Sequence, residues 1–113
     1  VLSLLKFLAM KAISPTEVQA QAANANLILI DIREPYEYQS CQIEALKIPM
    51  AEFAARFSEF SKEQSLVLMC QSGKRAEALA NFIETEFAAE NIYVLSGGLN
   101  AYISEVAPHL TCE

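Results

Sequence analysis

Three short aliphatic runs punctuate the chain, Leu27 to Ile32, Ser65 to Met69 and Ile92 to Leu95, and each is nearly continuous rather than alternating with polar residues. Runs of that length and composition are the mark of strands buried on both faces, as in a parallel sheet. Between them the apolar positions recur at helical spacing. Ser14-Pro15-Thr16-Glu17 carries an N-cap serine, a proline at the first helical position and a glutamate at the third, which predicts a helix from there to about Ala23. Pro35 opens a short helix over Tyr36 to Gln39, and Lys47-Ile48 reads as a minimal strand ended by Pro49. In Ala51 to Phe60 the rings of Phe53, Phe57 and Phe60 fall on one helical face, which predicts core packing. Leu79, Phe82, Ile83 and Phe87 define the apolar side of a further helix, with Glu77, Asn81, Glu84 and Glu86 facing away. A last helix runs from about Leu99 to Val106 and ends before Pro108. Strands that alternate with helices need crossover connections, so the expected class is α/β, with a mainly parallel central sheet and helices on both faces.

With 113 residues there is room for one core, and an apolar content of 53% supplies it. The formal net charge of -6, with no basic cluster longer than Lys74-Arg75, disfavours nucleic-acid binding. Residues 1–10 are apolar but contain Lys6 and reach about half the roughly 20 residues of a membrane span. They also lack a basic leader and a small-residue cleavage site, so neither a membrane helix nor a signal peptide is expected. Their position and the Met-less start suggest a linker, or the remnant of a preceding domain, ahead of a domain over residues 11–113. Cys41, Cys70 and Cys112 form no CxxC or zinc-finger spacing, and no metal site is expected. Their odd count argues against a disulfide framework and for a reducing, cytoplasmic setting.

Cys70 lies where chemistry is expected, at the carboxyl end of a buried strand and at the head of a loop, Cys70-Gln71-Ser72-Gly73-Lys74-Arg75, that leads into a helix. Gly73 permits a tight path, the backbone N–H groups of Gln71 through Arg75 can converge on the sulfur, and the helix N-terminus favours a thiolate there. Lys74 and Arg75 sit at a helix start, where cations are disfavoured, which points to an anionic ligand. Cys41 reads as a packing residue and His109, the single histidine, as an exposed tail residue, so no Cys–His dyad is expected. Asp31 and Arg33 read as a structural ion pair, and Tyr36 and Tyr38 as packing residues.

Three motifs, read in order, resemble the rhodanese-like domains over Lys11 to Ala107. Asp31-Ile32-Arg33-Glu34-Pro35-Tyr36-Glu37-Tyr38 is similar to that family's first signature, Cys70 to Arg75 to its persulfide loop, and Gly97-Gly98-Leu99-Asn100-Ala101-Tyr102 to its closing motif. The family's usual Gly-His-Ile segment is replaced by Cys41-Gln42-Ile43. The Glu37 to Cys41 pattern resembles the rhodanese domains fused to E1-like adenylyltransferases of thiamine and molybdopterin biosynthesis. The resemblance implies a sulfurtransferase in which Cys70 is the nucleophile and Gln71, Ser72, Gly73, Lys74 and Arg75 bind the anionic sulfur or its donor, with no cofactor. It implies thiosulfate or a cysteine-desulfurase persulfide as donor. The acceptor would be a thiol, cyanide or a ubiquitin-like sulfur-carrier protein. Alternatives are a non-catalytic or relay interaction domain, an arsenate reductase, or a Cys-dependent phosphatase. The last expects five residues between Cys and Arg, whereas four separate Cys70 from Arg75.

Overall fold

The computed structural model describes residues 11–110 and 112; the stretch read as a linker, residues 1–10, lies outside the described residues. Five strands, β1 (Ala12–Ile13), β2 (Leu27–Asp31), β3 (Leu46–Lys47), β4 (Ser65–Met69) and β5 (Ile92–Leu95), form one sheet in the order β1-β5-β4-β2-β3, with every pairing parallel. The connections carry α1 (Pro15–Ala20), α2 (Pro35–Tyr38), α3 (Met50–Arg56, continued by a 3-10 turn over Phe57–Glu59), α4 (Lys74–Phe87) and α5 (Gly98–Val106). No helix among the described residues is long and apolar enough to cross a membrane.

Strand parity sorts the core. On β4, Leu66 and Leu68 point to the face covered by α3 and α4, where they join Ile30, Phe53, Leu79 and Ile83. Val67 and Met69 point to the other face, covered by α1 and α5, and pack with Val18, Leu95 and Leu99. Both faces are therefore apolar, which is why the strands read as unbroken aliphatic runs.

Local signals explain most element boundaries. The capping box of α1 forms as expected, with Glu17 N donating to Ser14 Oγ and Ser14 N donating to Glu17 Oε1, each at 3.1 Å. That helix stops at Ala20 rather than near Ala23. The minimal strand sits one residue earlier than expected, at Leu46–Lys47, and β1 has no aliphatic run to announce it.

Two expectations need correction. The buried stripe of α4 is Ala76, Leu79, Ala80 and Ile83, while Phe82 and Phe87 are about half exposed. Small residues at 76 and 80 bring the helix close to the sheet, and Phe82, about 100° around the axis from Ile83, is turned towards solvent. Phe87 instead meets Phe57, with ring centroids 5.3 Å apart. The cysteines also differ, because Cys41 and Cys112 are joined in a disulfide with Cα atoms 4.8 Å apart, leaving Cys70 free. Seventy-one positions separate them in sequence, and only the return of the chain after α5 brings them together. The argument from an odd cysteine count to a reducing compartment loses its ground.

Candidate active site at the end of the fourth strand

Cys70 follows β4 and keeps its even parity, so its side chain projects to the face on which α4 begins. Four positions on, Lys74 is already helical. The chain makes this turn through Gly73, whose φ of +104° is ordinary for glycine and strained for any other residue. Sγ is held by backbone alone, accepting from Gly73 N at 3.0 Å and from Ala76 N at 3.4 Å, and the residue is fully buried. Ala76 was not among the residues expected to donate. Its N–H belongs to the first turn of α4, where backbone donors have no partner four residues back.

The loop is oriented from behind by α5. Leu99 N donates to the Cys70 carbonyl at 2.9 Å and Asn100 N to the Gln71 carbonyl at 3.0 Å. These two bonds fix the backbone of Cys70 and Gln71 just ahead of the turn through Gly73. Gly98 makes that approach possible, since its φ is +62° and a Cβ there would lie 2.5 Å from the Cys70 carbonyl oxygen.

The side chains expected to bind an anion have mixed placements. Gln71 is used internally, with Oε1 accepting from Arg33 Nη1 at 3.0 Å and Nε2 donating to Asn100 Oδ1 at 2.6 Å. Ser72 and Lys74 are exposed beside the loop. Arg75 turns to α2, where its two Nη atoms donate to the two carboxylate oxygens of Glu37 at 2.8 and 2.9 Å. That bond holds the Glu37 carboxyl well below the usual range, at about 2, and raises Arg75 further.

Asp31 and Arg33 form the expected pair, fully buried at 2.9 Å, and Arg33 also donates to the Cys41 carbonyl at 2.8 Å. The ion pair read from sequence is present, and through Gln71 it also braces the loop. Sequence reasoning left out Glu37, Ala76, Gly98 and Asn100. The adjacency of β2 and β4 brings Glu37 opposite the loop, and only the Gly-Gly pair carried a signal for α5.

The rhodanese-like domain family profile matches residues 14–105, nearly the whole described chain. The chain belongs to the rhodanese-like domain family. Among curated relatives, the adenylyltransferase and sulfurtransferase MOCS3 of Drosophila ananassae is 30% identical to the domain over 89 residues, covering 72% of this chain and 20% of that protein. The tRNA uridine(34) hydroxylase of Brucella ovis is 27% identical over 101 residues, covering 83% of this chain and 33% of the hydroxylase. The domain thus spans between a fifth and a third of the length of these relatives. A rhodanese-related protein from Thermoplasma volcanium shares the fold, with a TM-score of 0.72 at 21% identity, covering 91% of this chain and 99% of the other. The domain is related to sulfur-transfer proteins.

Proposed function

We propose that the domain is a sulfurtransferase that carries sulfane sulfur as a persulfide on Cys70. The observation that carries this reading is the free Cys70 thiol at the carboxyl end of β4, with Gly73 N and Ala76 N directed at its sulfur. Backbone donors at a helix N-terminus suit an anionic sulfur and add no competing nucleophile or proton source. In the first step the Cys70 thiolate attacks the outer sulfur of the donor. With thiosulfate, a bond from Sγ to that sulfur forms, the sulfur–sulfur bond of the donor breaks, and sulfite leaves with the electron pair. In the second step an acceptor thiolate, or cyanide, attacks the terminal sulfur and the Cys70 thiolate departs.

Lengthening the side chain by one sulfur puts the terminal atom nearer the loop amides, and those of Lys74 and Arg75, in the first turn of α4, would hold it. The donor is thiosulfate or a cysteine-desulfurase persulfide. A ubiquitin-like sulfur-carrier protein is the acceptor suggested by the similarity to MOCS3. Thiosulfate and cyanide serve as probes.

Intact-mass spectrometry of the reduced protein after incubation with thiosulfate is the test. The native chain should gain one sulfur and lose it again to cyanide, and Cys70→Ser should gain none. Where thiosulfate gives no adduct, the assay is repeated with a cysteine-desulfurase persulfide. No adduct from either donor, or equal labelling of Cys70→Ser, would sink the proposal.

A further inference from the structure

The Cys70–Arg75 loop contains one guanidinium, which interacts electrostatically with Cys70 but is paired with Glu37. Glu37 holds both of its Nη atoms, and the carboxylate is itself fixed from behind, since Glu34 N donates to Glu37 Oε2 at 2.8 Å as the capping box of α2. Arg33 Nη1 reaches the Glu37 carbonyl at 3.3 Å and ties the same residue to the buried Asp31–Arg33 pair. A carboxylate held at three points does not swing aside when a ligand arrives. The positive charge of Arg75 is therefore cancelled by a fixed negative one, and exposed Lys74 is the remaining cation of the loop.

We propose that Glu37 is a specificity-determining residue that, by pairing with Arg75 at the mouth of the loop, turns the site away from small dianionic sulfur donors and towards less charged ones, such as a persulfide on another protein's cysteine. The inference rests on the sulfurtransferase reading above and deepens it. A paired cation and anion present a dipole, whose attraction for a doubly charged donor is far weaker than that of a lone guanidinium. Coulomb energy is proportional to donor charge, so removing the Glu37 charge favours a dianion twice as much, in free energy, as a monoanion at the same place. Glu37 stays ionised at any working pH, so the discrimination is built in rather than switched.

The test uses the whole chain and two donors of one chemistry and different charge, thiosulfate (dianion) and methanethiosulfonate (monoanion), with cyanide as acceptor. Glu37→Gln keeps the side-chain shape and an oxygen for Glu34 N. It should raise kcat/KM for thiosulfate about tenfold and for methanethiosulfonate about threefold, with both gains shrinking in high salt. Glu37→Asp keeps the charge and should keep the wild-type ratio between donors. A merely structural role for Glu37 would change both donors by one factor, and an unchanged ratio in Glu37→Gln overturns the proposal while leaving the persulfide reading intact. Absence of a Cys70 persulfide in the wild-type chain with every donor would overturn both.

Discussion

Replacing Gly98 by alanine puts a methyl carbon 2.5 Å from the Cys70 carbonyl oxygen and 2.7 Å from that of Gln71, about an ångström inside ordinary contact. The backbone at this position has φ +62°, which costs an alanine about 1–2 kcal/mol by itself. Relief of the clash requires the start of α5 to move off the loop, weakening the bonds from Leu99 N and Asn100 N, each worth about 1 kcal/mol net. The sum is about 3–4 kcal/mol, a fall in Tm of roughly 10–20 °C for a domain of this size. Gly97→Ala is the control. Its Cβ would meet the Ala101 methyl at 2.5 Å with φ +73°, a comparable strain that does not touch the loop. Urea denaturation and the rate of persulfide formation, measured on both variants well below their melting temperatures, separate the two effects. Both should lose stability, and only Gly98→Ala should form the Cys70 persulfide markedly more slowly, since only there do the Cys70 and Gln71 carbonyls lose their anchor. If folded Gly98→Ala matched the wild-type persulfide rate, α5 would not be what orients the loop, and the reasoning would fail.

Three further outcomes are expected. Thiol titration in denaturant should count one thiol per chain without reductant and three with it. Cys112→Ala should then cost about 2–4 kcal/mol under non-reducing conditions, because the bridge closes a loop spanning 71 positions, and nothing once the wild type is reduced. The Glu37–Arg75 pair should also make stability depend on pH. Its carboxyl sits at about 2 in the folded chain, below its unfolded value, so its contribution is complete above the unfolded pKa and disappears as pH falls towards 2. The pair is partly exposed, so the gap in stability between wild type and Glu37→Gln should be about 1 kcal/mol at neutral pH. Roughly half or more of that gap should be gone by pH 3, and urea midpoints that keep it constant down to pH 3 would refute the assignment.

The central strands and the loop were legible in sequence because each is fixed by local chemistry. Residues Leu27 to Ile30 and Leu66 to Met69 are apolar on both faces, and Gly73 is the residue that a turn with φ +104° demands. β1 escaped notice because two residues hold no periodicity, and its register partners in β5 lie 82 positions further along the chain, Val94 opposite Ala12 and Leu95 opposite Ile13. Phe82 and Phe87 misled because an aromatic ring scores as core wherever it falls, whereas Ala76 and Ala80 set how closely α4 approaches the sheet. The pairing of Arg75 with Glu37 and of Cys41 with Cys112 depends on strand order and on the path of the tail. Neither leaves a trace in a single sequence, so the loop arginine read as available for an anion when it is already occupied.

The strand order has a consequence for assembly. At both margins of the sheet, among the described residues, stand strands of two residues, β1 and β3, and each offers a foreign chain almost no row of unpaired amides and carbonyls to extend. Among the described residues, the sheet margins therefore give strand addition little to pair with. On the proposed function, a protein donor or acceptor is expected at the rim where β2 and β4 finish, beside the Cys70 loop, with loops rather than a backbone ladder doing the recognising.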